Sequence, residues 1–256
     1  MNGVIAALSQ MSGVAEDFIW QAALVFLRVG AAVALIPAIG EQMVPQRVKL
    51  AVAVALTAIV APAVAGQSQL PTGLLGPLAT EAAAGLIIGF GLRLLVLGLQ
   101  TAGTIVAQST SLAQMFAGTG PEPQPIVANL FVLAGLALFV AMGGLSRATG
   151  LLIMSYDLIP QGQLPAAADL AEWGLGRISA VFGLAFSLAA PFVLAALLYN
   201  LALGAINRAM PQLMVTMVGA PVLTLGGLVL LAVTSPIILS VWKEALDLAL
   251  DRPFGG

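Results

Sequence analysis

Glu81 and Arg93 are charges near or inside a single long apolar run. A charge at membrane depth is costly and usually faces protein or a water-filled cavity. Each therefore has two readings. Both can be buried and functional, or Glu81 can sit at the interface while Arg93 snorkels its head to water. Asn207-Arg208 lies between two further apolar runs and reads as a solvated loop or as a partner contact, with composition favouring the loop. Met115-Phe116 puts large apolar side chains into a Gly- and Pro-rich loop, where the chain's own helices or the lipid interface must bury them. Gly85-x-x-x-Gly89 allows two helix backbones to approach closely, although 28 glycines make such spacing common by chance.

Catalytic arrangements do not emerge. The chain has no histidine, so a Ser-His pair is impossible, which argues against a rhomboid-like protease. A Ser-Lys dyad would need Lys49 or Lys243, and neither has a suitably placed Ser. There is no Gly-x-x-x-x-Gly-Lys-Ser/Thr phosphate loop. The carboxylates lack metal-ligand spacing, and without cysteine there are no disulfides or thiolate sites. The expectation is a protein that is not an enzyme and holds no cofactor or metal.

The elements around these residues belong to a membrane. Hydrophobic residues make up 60% of the 256 and charged residues 8%, against about 25% charged in ordinary globular domains. Mean hydropathy is +1.07. A net charge of −2 offers no basic surface for nucleic acid. The length suits one domain, 1–256, with six to eight membrane-length helices at about 20 residues each. Charge-free gaps and breakers place helices at 16–39, 48–65, 77–107, 125–143, 145–159, 176–206 and 212–250. Ile36-Pro37-Ala38-Ile39-Gly40, the polar turn 67–73, the Gly- and Pro-rich stretch 118–125, Gly143-Gly144 and Pro160-Gln161-Gly162 supply the breaks. Almost no strand is expected, since open edges cannot be satisfied in lipid. Pro191, Pro211, Pro221 and Pro236 should kink the last two runs, as in packing against other chains or in a transporter. The N-terminus lacks the basic region of a signal peptide, so the first apolar helix should stay. Arg47 and Lys49 favour a cytoplasmic first loop.

An ordered set of motifs goes further. Arg28-Val29, Ile36-Pro37 and Val44-Pro45-Gln46-Arg47-Val48-Lys49-Leu50 are followed by Glu81-x-x-x-Gly85-Leu86-Ile87-Ile88-Gly89-Phe90 and Gln100-x-Ala102-Gly103 with Gln108. Next come Leu203-Gly204-Ala205-Ile206-Asn207-Arg208-Ala209-Met210-Pro211-Gln212-Leu213, Val218-Gly219-x-Pro221 and Gly226. Over nearly the whole chain this resembles the FliR family, the flagellar branch of the type III secretion export-apparatus proteins. Two positions depart from the family pattern. Ala117-Gly118 stands where an Asp-Pro is usual, and Gly143-Gly144 where a Gly-His is frequent.

The resemblance implies an all-α polytopic membrane protein whose long kinked helices and helical hairpins look like fused FliP-like and FliQ-like elements. It implies a subunit of the flagellar export gate at the bacterial inner membrane. The partners would be FliP-like and FliQ-like subunits, an FlhB-like subunit, and the unfolded flagellar proteins that pass through, with much of the assembled core toward the periplasm. It further implies a pore plug in the loop after the third apolar run, which picks out Leu112, Ala113, Gln114, Met115 and Phe116, with Gly118 and Gly120 as its hinge. Gly85, Gly89, Asn207, Arg208, Pro211 and Gln212 are the candidates for partner contact or packing. An injectisome subunit of the same family and a secondary transporter for a small solute are the alternatives.

Overall fold

The structure is a computed structural model. It describes residues 2–65, 75–111, 126–209 and 215–254, with side chains described over 18–65, 76–109, 126–209 and 222–254. Among the described residues the chain forms seven helices and no strand: α1 (Asn2–Val33), α2 (Gln46–Ala63), α3 (Leu75–Ser111), α4 (Ile126–Ala141), α5 (Gly144–Leu158), α6 (Ala167–Ala209) and α7 (Val215–Asp251).

Boundaries moved where charge alone had marked them. α1 begins at Asn2, not 16, because Glu16 and Asp17 do not interrupt a helix. α6 begins at Ala167, not 176, with Asp169 in its first turn, where a carboxylate suits the helix dipole. α1 stops at Val33 instead of 39; turns follow, with Ala38 in the left-handed region at φ 71°. Helix α6 runs through Pro191, and α7 through Pro221 and Pro236. Pro211 lies outside the described residues.

Room for six to eight membrane-length helices was expected. Among the described residues four are long and apolar enough to cross a bilayer: Gln46–Ala63, Gly76–Ser109, Ala167–Ala209 and Val222–Asp251. α4 and α5, of 16 and 15 residues, are each too short and meet at a 72° bend. Gly143 makes that bend at φ 70°, a backbone that glycine adopts without strain. A Cβ at Gly144 would fall 2.5 Å from the Phe139 ring, so the histidine frequent in the resembled family has no room here.

Two compact units divide the chain. The first comprises Met1–Arg93, Phe139–Gly174 and Leu248–Gly256. Its core includes Leu24, Val25, Val29, Ala32 and Val33 of α1, Leu56 and Val60 of α2, Ala84 and Ile88 of α3, and Leu151 and Leu152 of α5. The spacing along α1 is that of one buried helical stripe. The second unit comprises Leu94–Leu138 and Leu175–Asp247. There Trp242 is fully buried and donates its indole N–H to the Leu95 carbonyl at 2.9 Å. Gly103 lets α3 approach α4: a Cβ would lie 2.4 Å from the Ala128 Cα.

Candidate functional site

The buried stripe of α1 contains a charge. Arg28 is 0% exposed, and so is Glu81 near the start of α3. Unpaired, either ion would be driven out of the apolar interior or neutralised. They pair in a two-pronged arrangement: Arg28 Nε donates to Glu81 Oε2 at 2.8 Å and Nη2 to Oε1 at 3.0 Å. The planar guanidinium fork fits a carboxylate in this geometry, and both bonds are charge-assisted.

Helix α5 and the turn after it complete the shell. Arg28 Nη1 donates to Ser155 Oγ at 3.2 Å, and the Ser155 hydroxyl in turn donates a hydrogen bond to the Leu152 carbonyl at 2.6 Å. The Tyr156 ring lies beneath the guanidinium, 3.8 Å from Cζ to the ring centre, a cation–π contact. Its hydroxyl donates to Glu81 Oε2 over 3.4 Å. The Gly162 backbone N–H donates to Glu81 Oε1 at 3.0 Å, from a left-handed residue at φ 76°. Each carboxylate oxygen of Glu81 thus accepts two donors. The cluster binds α1, α3, α5 and the turn 159–166 through one carboxylate. It holds its charges in place, and Glu81 has no oxygen turned toward a solute.

The glycine pair sits beside it. A Cβ at Gly85 would come within 2.1 Å of the Arg28 carbonyl oxygen, and one at Gly89 within 2.8 Å of the Ala32 carbonyl oxygen. Gly85 and Gly89 are therefore where α3 meets the backbone of α1. Arg93 forms an ion pair with Glu41 in the turn before α2 and is partly exposed. Glu81 is fully buried within the protein.

Asn207 and Arg208 do not lie in a loop. They occupy the last turn of α6, exposed, with Arg208 at the helix end that favours a cation. Pro211 and Gln212 lie outside the described residues, as do Leu112, Ala113, Gln114, Met115, Phe116, Gly118 and Gly120. The Arg28–Glu81 pairing was not foreseen. Its signal was present, since a carboxylate in an apolar run needs a cation and Arg28 stands inside another apolar run, but 53 residues separate them.

The last two helices leave apolar faces bare. Along α6, Phe182, Phe186, Leu194, Leu197, Leu198 and Leu201 are all more than half exposed. On α7, Leu225, Leu228, Val229, Val233 and Ile237 are likewise. Only 11% of the most apolar stretch of α7 is buried by the chain itself. At 1.5 Å per residue the 43 residues of α6 extend about 65 Å, against a hydrocarbon core about 30 Å thick.

Helices of this length and polarity, locked by a buried ion pair, define a polytopic membrane protein with more apolar surface than its own fold covers. The family model for bacterial export proteins, family 1, matches residues 19–249, and the chain belongs to that family. It is 34% identical over 241 residues to the flagellar biosynthetic protein FliR of Caulobacter vibrioides, covering 91% of this chain and 95% of that relative. The FliR of Escherichia coli is 30% identical over 219 residues, 83% of each chain. The FliR of Aquifex aeolicus is 29% identical over 229 residues, 87% of this chain and 88% of the relative.

Proposed function

We propose that this chain is a subunit of the flagellar type III export gate, helping to form the closed pore through which unfolded flagellar proteins leave the cell. The family match over residues 19–249 carries the reading, and the relatives' names place it on the flagellar branch rather than the injectisome branch. The bare faces of α6 and α7 support assembly. Lipid tails cover about 30 Å, while the charge-free part of α6, 178–207, runs about 45 Å, which favours cover by protein for its bare apolar face. The partners are FliP-like and FliQ-like subunits, with an FlhB-like subunit alongside, in the inner membrane at the flagellar basal body. Part of the assembled core stands out on the periplasmic side.

A solute transporter would offer convergent polar groups at a midplane site. Glu81 is instead saturated by Arg28, Tyr156 and Gly162. The deciding experiment is mild-detergent purification of the chain expressed with its neighbouring genes, followed by mass spectrometry. Copurification of two smaller, different membrane proteins in fixed ratio is expected. A monodisperse, heat-stable monomer that gains nothing from coexpression would overturn the proposal.

A further inference from the structure

A groove between α1 and α2, also lined by Ala82 of α3, excludes the side chains of the ion-pair cluster. Its volume is about 360 Å³, within the range of about 300–1,000 Å³ typical of small-ligand sites. Phe26, Leu27 and Ala31 from α1 and Leu50 and Ala53 from α2 make apolar walls, while Gln46 and Lys49 line it at the N-terminal end of α2. Gly30 opens onto free space, since a Cβ there meets nothing within 4 Å. The groove thus has an apolar body and a cationic end.

The cationic end has donors to spare. Lys49 Nζ gives one hydrogen bond to the Gly40 carbonyl at 3.0 Å, and an ammonium group has three protons. Arg47, exposed on the same first turn of α2 but outside the groove's lining, adds positive charge to the neighbourhood only. The carboxylate in the adjoining turn, Glu41, is engaged by Arg93 and does not offset them. The surroundings are suited to lipid rather than water. Met43 in the turn is 88% exposed, and α2 presents Val48, Leu50, Val54 and Ile59 outward. Basic residues near a membrane surface attract anionic headgroups, at roughly a five-fold gain in binding for each Lys or Arg.

We propose that this groove is a binding site for an anionic phospholipid, with an acyl chain between α1 and α2 and the phosphate held by Lys49. Charge complementarity selects the headgroup, and the apolar walls select a chain over a free phosphate. The inference does not depend on the export-gate reading.

The test uses the full-length chain with whatever subunits copurify, in mild detergent. Native mass spectrometry follows titration with dioleoylphosphatidylglycerol or dioleoylphosphatidylcholine. Wild type should retain one lipid with a clear preference for the anionic one. Lys49→Gln should lower that preference about five-fold, and Lys49→Arg should keep it. Gly30→Leu, which fills the groove without touching the cationic end, should reduce retention of both lipids. If Lys49→Gln does not fold, the other two variants still read the site. Equal retention of both lipids by wild type, or a preference that neither Lys49→Gln nor Gly30→Leu moves, would overturn the proposal. So would a crosslink from Lys49 to a partner's carboxylate in a complex that carries no lipid there.

Discussion

Gly85 rests against the backbone of Arg28, so close that a Cβ would lie 2.1 Å from its carbonyl oxygen, while the Arg28 guanidinium reaches Glu81 one turn earlier on α3. The close approach and the ion pair are one arrangement. Without the glycine, α3 would stand off from α1, and the carboxylate would move away from its partner.

The first prediction concerns the pair itself. Arg28→Ala or Glu81→Ala leaves an uncompensated ion in a fully buried site, so either should destabilise the protein by about 3–5 kcal/mol. The double variant Arg28→Met with Glu81→Leu should lose less than either single change, because no charge stays stranded. Unfolding of the purified protein in detergent measures this. Additive losses in the double variant would show that the two residues do not depend on each other.

The glycines give a second, paired prediction. Gly85→Ala meets backbone, which cannot swing aside, and should cost about 1–3 kcal/mol by overpacking. Gly150→Ala on α5 meets nothing within 4 Å and should be neutral or mildly stabilising through helix propensity. Equal yields of folded protein from the two variants would contradict the close contact of α1 with α3.

Arg208 is exposed in the last turn of α6, so Arg208→Ala should leave the unfolding temperature of the isolated chain unchanged. In cells that supply the partner subunits it should lower both complex yield and motility. Wild-type motility with full complex yield would mean that solvent alone surrounds this arginine.

The seal supplies the fourth prediction. A pore wide enough for an unfolded chain must be closed at rest, and apolar constrictions close by dewetting. On the proposed reading Leu112, Met115 and Phe116 would supply the apolar bulk of that seal, as the family resemblance implies, and methionine adapts to an irregular ring. Deleting 112–116 should raise ion leakage across the inner membrane while the complex still assembles. A complex that stays as tight as wild type would place the seal in another subunit.

Much of this architecture was legible beforehand, and the misses have a common cause. Seven apolar runs correspond to the seven helices among the described residues, because hydropathy and Pro/Gly breakers act locally. The ends failed at Glu16-Asp17 and at Asp169 and Glu172, where charges were treated as boundaries although a helix carries surface charges readily. Asn207-Arg208 was read as a loop for the same reason. The resemblance reached the family, while Gly85-x-x-x-Gly89 announced a close approach without naming the surface it meets. Arg28 and Glu81 appeared as separate motif residues. Their pairing depends on how α1 and α3 pack, which neither local sequence contains.

The bare faces of α6 and α7 bear on the life of the newly made chain. A subunit whose leucines and phenylalanines wait for partners is, until assembly, an aggregation-prone orphan. Such species are removed by chaperones and proteases in proportion to the time they spend unassembled. On the proposed export-gate reading, the cellular amount of this protein should therefore follow the supply of its partner subunits.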